Sequence, residues 1–182
     1  RYDRNKKNFQ LLPYFNRQAQ AIHQDAEGTL WVASYGSGVY FNNEATGVKG
    51  NFQHDPKDTN SLPNNYVNNL YEDSRHNIWF CTESGLCRYD RSRRKIIRCA
   101  EEPGLRDKQV FRVLEDDNGM IWVSTSKGLV SMDPEKNTGR VFNTDYGLLS
   151  DQFNYNSAYK DNSGRLFFGT VKGMISFAPS AI

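Results

Sequence analysis

Four aspartates recur at one distance before an aromatic residue, and carboxylates in glycine-containing turns are candidate calcium ligands. The acid stands six positions before the aromatic residue in every copy, with Gly or His midway between them. The segment Asp116–Gly119 lacks the later glutamate that completes an EF-hand loop. Aspartate in such turns also accepts backbone hydrogen bonds, and we therefore predict structural turns without a metal. The four aspartates are Asp25, Asp73, Asp116 and Asp161.

The recurrent aromatic residues are a second candidate, because aromatic rings can stack on sugars. Four equivalent positions, however, cannot all face one ligand. Rings of this size bury about 150–250 Å² each when they pack in a core. We therefore predict that they fill the space between repeated sheets. They are Trp31, Trp79, Trp122 and Phe167.

Other reactive side chains do not form a recognisable site. His23, His54 and His76 share no metal-ligand spacing. Three cysteines fit no metal motif either; a disulfide between Cys87 and Cys99, on neighbouring strands of one hairpin, is conceivable, but small buried thiols are the favoured interpretation. No nucleophile elbow or paired carboxylates can be identified, and we expect no catalytic residue, cofactor or metal in this chain. The cysteines are Cys81, Cys87 and Cys99.

The spacing of these copies indicates the elements that position them. The aromatic residues are 48, 43 and 45 residues apart, and repeats of about 40–50 residues made of short strands are typical of propellers. In the third copy, strands are predicted at 110–115, 120–125 and 129–132, with a fourth beginning at 140, separated by polar turns. Four antiparallel strands per repeat make one propeller blade.

The predicted fold class is therefore all-β, a partial propeller of about four blade equivalents. Residues 1–14 are predicted to end a preceding blade, with a strand at Asn8–Leu12, and 146–182 to form an incomplete last blade. Whole blades are predicted at 15–56, 57–101 and 102–145. The N-terminal strand could complete the last blade and close a ring, or the chain could be an arc of a larger array. We favour the arc, which exposes sheet edges that invite association.

Composition narrows the function classes. The chain has 182 residues with a net charge of +2, from 23 basic and 21 acidic residues. This balance does not favour contact with nucleic acid or an anionic membrane. Aromatic residues make up 13%, which favours strands. The absence of a signal peptide and the abrupt start lead us to expect a piece of a longer protein.

Four segments resemble the two-component regulator propeller repeat and its arrays. The string from Val67 through Trp79 to Asp90 is similar to the repeat itself, and His54–Asn65 resembles its connector between blades. The segments 147–154 and 173–179 resemble the closing blade of such arrays. The resemblance covers essentially the whole chain, with His76 in place of the turn glycine and Phe167 in place of tryptophan.

This resemblance implies a specific setting. Such repeats form large, usually seven-bladed propellers in the extracytoplasmic half of hybrid two-component sensors, and glycan fragments are typical ligands. The expected partners are therefore an oligosaccharide or other small ligand, the remaining blades, a following immunoglobulin-like domain and a second copy of the parent protein. This part of the parent would be periplasmic, and the parent would be anchored in the membrane. Since no kinase residues are present, this fragment is expected to have no enzymatic activity.

Candidate ligand-binding residues lie on the loops that enter each innermost strand and on those that link the second and third strands. These loops share one face of a propeller and are held by a rigid scaffold. Amide, carboxylate and guanidinium groups suit sugar hydroxyls, and tyrosine offers a stacking surface. The residues are Tyr35, Asn64, Asn65, Tyr66, Glu83, Arg106, Gln109, Lys127, Asp151, Gln152, Asn154, Tyr155 and Lys172.

Two other functions remain open from the sequence. One is a propeller that only docks a partner protein, and the other is a propeller-type glycan hydrolase or lyase. The basic run Arg91–Lys95 is predicted to be a solvated hairpin turn.

Overall fold

The computed structural model describes residues 2–9, 11, 15–99, 104–136 and 138–182, and within them the chain is built almost entirely from β-strands. Two short 3-10 segments lie at Thr144–Tyr146 and Pro179–Ala181. The strands are β1 Tyr2–Asp3, β2 Asn8–Phe9, β3 Ala19–Gln24, β4 Leu30–Ser34, β5 Val39–Asn42, β6 Lys49–Phe52, β7 Val67–Glu72, β8 Ile78–Thr82, β9 Gly85–Asp90, β10 Lys95–Arg98, β11 Val110–Glu115, β12 Ile121–Thr125, β13 Gly128–Asp133, β14 Thr138–Phe142, β15 Phe153–Lys160, β16 Leu166–Thr170 and β17 Gly173–Phe177.

The strands form sequential antiparallel sheets, which are the blades of a propeller. Blade 1 is β3–β6, blade 2 is β7–β10 and blade 3 is β11–β14, each with four strands in chain order. Blade 4 is the three-stranded sheet β15–β17. The first strands of consecutive blades, β3, β7, β11 and β15, contact one another and are therefore innermost. The all-β propeller fold predicted from the repeats is confirmed.

The hydrophobic core lies between the blades, where each tryptophan packs on the blade that follows it. The ring of Trp31 in blade 1 lies 5.9 Å from Phe80 and 5.5 Å from Tyr89 of blade 2, centroid to centroid. Trp79 is fully buried in the cluster between blades 2 and 3. Trp122 packs 4.8 Å from Phe177 of blade 4. The recurrent tryptophans thus bury apolar area at three successive interfaces.

Phe167 differs from these tryptophans and is only half-buried, so the expectation of a core position is wrong for it. Its ring contacts Tyr159 at 6.2 Å, and within the described residues no further blade covers that side of blade 4. Tyr159 and Met174 on the same side are 63% and 62% exposed. At the opposite end, Ile22 of blade 1 is 65% exposed, whereas its counterpart Leu70 in blade 2 is buried against Trp31.

The N-terminal residues form a sheet of their own. β1 and β2 pair only with each other, and in the part of the chain described β17 pairs only with β16. The described N-terminal residues therefore do not complete blade 4. The predicted strand Asn8–Leu12 is present at Asn8–Phe9, while residues 10 and 12 lie outside the described residues. Residue 1 and the predicted boundary between the second and third blades, at 101–102, also lie outside them.

The residue before each recurrent aspartate reaches back to the turn of the preceding blade. Glu72 accepts the backbone N–H of Ala26 at 3.5 Å, and Glu115 accepts that of Ser74 at 2.6 Å. At blade 4 the charges are reversed, and the ammonium group of Lys160 lies 2.6 Å from Asp117 Oδ1. These latches cross all three interfaces at the same level of the propeller.

The cysteines all belong to blade 2 or its end, and the thiols of Cys81 and Cys87 form no disulfide. Cys81 and Cys87 are fully buried. The conceivable bridge between Cys87 and Cys99 is therefore not formed in this structure.

Candidate functional site

Each aspartate of blades 1–3 holds both its own turn and the tryptophan six residues later. In blade 2, Asp73 Oδ1 accepts the backbone N–H groups of Arg75 and Asn77 at 3.0 and 2.8 Å. Its Oδ2 accepts the indole N–H of Trp79 at 2.8 Å. The indole bonds in blades 1 and 3 are 2.6 and 2.9 Å long. Because a buried indole N–H needs an acceptor, the constant spacing follows from one carboxylate serving turn and ring.

These aspartates are fully engaged by protein donors. Asp161 in blade 4 makes the same backbone bonds, to Ser163 and Arg165 at 2.9 and 3.0 Å, but Phe167 has no N–H to offer. Among the described residues, no group of three or more His, Cys, Asp or Glu side chains is arranged to hold a metal ion.

Asp25 has an additional partner from the next blade. The Nη2 atom of Arg91 donates to Asp25 Oδ2 at 2.6 Å, and Nη1 lies 2.8 Å from Glu27 Oε2. Burial would raise the pKa of Asp25, but the bonds from Trp31, the Thr29 N–H and Arg91 outweigh it, and the pKa is lowered. Arg91 is therefore an interblade contact, which corrects the prediction of a purely solvated turn at 91–95.

The opposite face carries the turns between second and third strands, each fixed by a hydroxyl. Thr82 Oγ1 donates to the carbonyl of Gly85 at 2.7 Å, and accepts the N–H of Ser84. Equivalent hydroxyl bonds are made by Ser34, Thr125 and Thr170. In blade 1 the turn also needs Gly38, at φ 77°, where a Cβ would lie 2.0 Å from the carbonyl oxygen of Phe52. The turns therefore present side chains on a rigid rim.

Three predicted residues from three blades meet on this rim around one carboxylate. Gln109 Nε2, before blade 3, donates to Glu83 Oε2 of blade 2 at 2.5 Å. The hydroxyl of Tyr155, in blade 4, donates to Glu83 Oε1 at 3.0 Å. Burial, and then the bond to Glu83, raise the pKa of Tyr155 to about 12. Tyr155 is still half-exposed, and its ring packs edge-on against Phe111 at 4.6 Å.

Two further predicted tyrosines extend this rim cluster, defined as Glu83, Gln109 and Tyr155. Tyr35 and Tyr66 pack edge-to-face with centroids 4.7 Å apart and form an isolated β-bridge. Both are about half-exposed. The backbone carbonyl of Tyr66 accepts the backbone N–H of Glu83 at 3.1 Å, which places this pair beside the cluster. The rim therefore offers aromatic surface beside an amide and a carboxylate, which is chemistry suited to sugar rings and hydroxyls.

Other predicted residues are used to hold the rim itself. Asn64 donates to Ser84 Oγ at 2.9 Å, and Asn65 Oδ1 accepts the N–H of His54 at 2.7 Å. Asp151 Oδ1 accepts the N–H of Thr144 at 2.7 Å. Asn154 donates to a carbonyl of its own blade, at Thr170. The backbone carbonyl of Gln152 accepts the N–H of Val171 in the next turn.

The predicted cationic residues do not join the rim cluster. Lys127 and Lys172 are exposed on the turns of blades 3 and 4, where their backbone N–H groups bond the turn threonines. Arg106 is exposed and, with Asp107 and His54, lines a separate hollow of about 410 Å³ beside blade 2.

Below the rim lies a polar chain that the sequence reasoning missed. Arg112 Nη1 donates to Asn69 Oδ1 at 2.5 Å, and Asn69 Nδ2 in turn donates to Asn156 Oδ1. The three side chains come from the innermost strands of blades 3, 2 and 4. An arginine between the apolar residues Val110, Phe111, Val113 and Leu114 of one strand was the available signal.

Tyr155 and Asn156 reach blade 2 because the innermost strand of blade 4 is irregular. Its pairing runs from Phe153↔Thr170 to Ala158↔Phe168, leaving residues 154–157 between paired positions. Blade 3 has only Phe111 at that place. Asn156 adopts a left-handed conformation with φ 53°. The extra residues project toward blade 2, whereas the sequence predicts a strand starting only at Ser157.

Comparison with known proteins identifies the repeats. A family profile, the two-component regulator propeller, matches residues 61–84 and 104–127, covering the starts of blades 2 and 3 with their connectors. These two segments are therefore similar to the repeat of that family. The chain is 23% identical, over 208 aligned positions, to Histidine kinase P4 of Formosa agariphila. That alignment covers 87% of this chain and 15% of the relative.

Solved structures show the same fold. The extracellular domain of BT3049 from B. thetaiotaomicron, which carries the name of a hybrid two-component system, matches 90% of this chain with a TM-score of 0.74 and 23% identity. The extracellular domain of BT4673 from that organism, named a one-component system, matches 91% with a TM-score of 0.73 and 20% identity. Virginiamycin B lyase from Staphylococcus aureus matches 88% with a TM-score of 0.61 and 15% identity.

These propeller repeats span only part of the proteins they match. They cover 22% of the BT3049 chain, 24% of the BT4673 chain and 55% of the lyase. At these identities the structural likeness shows the fold alone. In the described part of the chain, none of the helical segments has the length and apolar character needed to cross a membrane.

Proposed function

We propose that the chain is the ligand-sensing propeller portion of a hybrid two-component sensor histidine kinase and that it binds glycan fragments on its rim. The observation that carries the proposal is the convergence of Glu83, Gln109 and Tyr155 from three blades on one exposed face. A ligand seated there contacts several blades at once, so its binding energy can favour one arrangement of blades over another.

The setting of the site supports a sensor more than an enzyme. The carboxylate of Glu83 is engaged by two neutral donors, and the raised pKa keeps Tyr155 protonated at neutral pH. A phenol that stays protonated is not poised as a general base near pH 7, and both oxygens of Glu83 already accept hydrogen bonds. A neutral phenol, an amide and a carboxylate instead provide donors and acceptors for hydroxyl groups.

The proposal extends to the longer protein. The two-component repeats and the histidine kinase relative support a parent in which this propeller lies outside the cytoplasm, as in the extracellular domains of similar structure. The kinase, the remaining blades, an immunoglobulin-like domain and a homodimeric parent belong to the same proposal. The chain itself would relay the presence of ligand and would not transfer phosphate.

Calorimetry with a panel of plant, algal and host oligosaccharides tests the binding function. We expect at least one to bind, with a tenfold loss in Tyr155→Phe, which removes the phenolic donor, and in Glu83→Gln, which removes one of the two acceptor oxygens and the charge, in each case without removing bulk. Lys127→Gln is the matched rim control and should change affinity little. Arg106→Gln decides whether the separate hollow takes part. Equal affinity in the wild type, Tyr155→Phe and Glu83→Gln would remove the rim cluster from the site.

A further inference from the structure

Arg112 carries a charge that no residue in the described part of the chain neutralises. Its guanidinium group is held by one neutral acceptor, Asn69 Oδ1 at 2.5 Å. Its Nε is buried and has no hydrogen-bond partner, and it is the only such side-chain atom among the described residues. Leaving a buried polar group unsatisfied is unfavourable, and more so when the group is charged. Such an atom calls for a partner from outside the chain.

The groups around Arg112 are neutral at physiological pH. Burial raises the pKa of the Cys81 thiol to about 12, and burial also raises the pKa of Tyr71. Glu115, the acid on the same strand, is bonded instead to the N–H and hydroxyl of Ser74 at 2.6 and 2.7 Å. No carboxylate in the described part of the chain forms an ion pair with Arg112.

The unused side of this guanidinium has the geometry that binds anions. Asn69 takes Nη1, which leaves Nε and Nη2, the side-on edge of the group, with no acceptor among the described residues. Two parallel N–H groups on one edge match the two oxygens of a carboxylate or a sulfate. The edge is therefore a ready two-point site for an anionic oxygen pair.

Arg112 is connected to the rim rather than isolated from it. Asn69 links it to Asn156, and Asn156 is adjacent in sequence to Tyr155 of the rim cluster. All of these residues lie on innermost strands, which surround the axis of the blades. A ligand held at Tyr155 is thus one side-chain contact away from the chain that ends at Arg112.

We propose that the Nε–Nη2 edge of Arg112 binds an anionic substituent, a carboxylate or a sulfate ester, of the ligand seated on the rim. This rests on the proposed function for the remainder of the ligand. The ligand class would then be acidic oligosaccharides, in which hydroxyls contact the rim cluster and the anionic group neutralises the buried cation. Pairing removes the penalty of an uncompensated charge, which favours acidic over neutral sugars.

The anion site is tested with sodium sulfate and sodium acetate as probes, titrated into the 182-residue chain at constant ionic strength against chloride. We expect saturable binding, at least tenfold weaker in Arg112→Gln, and intermediate in Arg112→Lys, which keeps the charge but loses the two-point edge. Arg165→Gln, an exposed arginine of blade 4, is the matched control and should bind as the wild type does. Unchanged near-ultraviolet circular dichroism shows that the variants are folded.

A crystal structure with each probe gives the decisive reading. An oxygen pair within hydrogen-bond distance of Nε and Nη2 supports the proposal, and the tighter probe indicates a sulfate ester or a carboxylate. An ordered water as the partner of Nε at high probe concentration, or equal loss of binding in Arg165→Gln, overturns it.

Oligosaccharides separate this inference from the proposed function. We expect trigalacturonate to bind more tightly than neutral galactotriose, with the advantage abolished in Arg112→Gln. A neutral oligosaccharide that binds the rim with equal affinity in the wild type and Arg112→Gln would overturn the acidic ligand while leaving glycan sensing intact. Sulfate or acetate bound at Arg112 with no binding by any oligosaccharide would instead refute glycan sensing and retain the anion site.

Discussion

A single carboxylate that serves both turn and ring is the repeated chemical unit of this protein. Asp73 accepts two backbone N–H groups and the indole of Trp79, and the same arrangement recurs in blades 1 and 3. Replacing it would leave several buried donors without acceptors. Blade 4 provides a natural comparison because Asp161 forms the turn bonds but Phe167 cannot form the third.

Asp73→Ala should therefore destabilise the chain more than Asp161→Ala. For Asp73→Ala we expect the free energy of unfolding to fall by about 3 kcal/mol, because a buried donor left unsatisfied costs about 1–3 kcal/mol. For Asp161→Ala we expect a fall of about 1 kcal/mol, because the donors of an exposed turn can hydrogen-bond to water instead. Urea unfolding measures both.

Trp79→Phe in the Asp73→Ala background should lower the free energy of unfolding by less than Trp79→Phe alone does. Additive losses would show that the hydrogen bond from the indole contributes nothing.

The stability of blade 1 should depend on pH through Asp25. Its pKa lies below the ordinary value of 3.8, since the bonds from Trp31, Thr29 and Arg91 outweigh burial. A lowered pKa in the folded state means that the stabilisation is present above pH 3.8 and is lost as the pH falls below it. Asp25→Asn should therefore be less stable than the wild type at pH 7, with a difference that narrows toward about pH 3.

Urea midpoints across that range measure the effect. Asp133→Asn is the control, because the pKa of Asp133 is also lowered, by the Glu135 N–H and Lys136, but this acid lies on an exposed hairpin. A smaller difference is expected for it, and because the pKa of Asp133 is also lowered, that difference should likewise narrow as the pH falls. A difference for Asp25→Asn that stays constant between pH 7 and 3 would contradict the assignment.

Whether a residue could be predicted from the sequence depends on whether its role leaves a pattern along the chain. The Asp–Trp spacing is visible because local geometry repeats it, although the indole bond that explains it is a three-dimensional fact. Glu83, Gln109 and Tyr155 could be assigned to one face from loop positions alone. Arg112, Asn69 and Asn156 could not be grouped, since their contacts join strands 43 and 87 residues apart.

At the scale of strands, alternation and turn residues were sufficient for most of the blades. The pairing of β15 was not predictable, because residues 154–157 contain no glycine or proline to mark the irregularity. The interblade latches were also hidden. Glu72, Glu115 and Lys160 occupy one position of the repeat, but their partners change with the neighbouring turn.

The reversed latch at blade 4 allows a swap experiment. Lys160→Glu should destabilise the interface of blades 3 and 4, since it places a carboxylate beside Asp117. Adding Asp117→Ser should restore much of the loss, because it recreates the pairing of Ser74 with Glu115 at the preceding interface. A double-mutant cycle by urea unfolding should give a favourable coupling of about 0.5–3 kcal/mol.

A hairpin pair supplies the control for this cycle. Lys136 and Asp133 lie 3.0 Å apart within one exposed turn, and exposed pairs contribute at most about 1 kcal/mol. Lys136→Glu with Asp133→Ser should show little coupling. Equal coupling in the two cycles would mean that Lys160 and Asp117 act only as a surface pair and do not hold blades together.

For the whole molecule, the decisive feature is that, among the described residues, three blade interfaces are packed and two blade faces are not. Each packed interface buries an aromatic residue of one blade against the next. The outer side of blade 4 repeats the same pattern without a partner, with Tyr159, Phe167 and Met174 lining an open hollow of about 450 Å³. Ile22 at the other end occupies the position that is buried in blades 2 and 3. The two faces have complementary roles in the repeat.

The 182-residue chain on its own should therefore associate head to tail through these faces. Burying them removes apolar side chains from water, and a heterologous contact of this kind can propagate beyond a dimer. Sedimentation velocity should show concentration-dependent association that is weakened at least tenfold by Met174→Lys with Tyr159→Lys, and by Ile22→Lys. Val48→Lys, which changes a comparably exposed apolar residue on the β5–β6 turn, should leave association unchanged. A monomer at every concentration, or equal weakening by Val48→Lys, would show that the open faces of blades 1 and 4 do not drive assembly. The association expected for an arc of a larger propeller would then have to come from blades outside this chain.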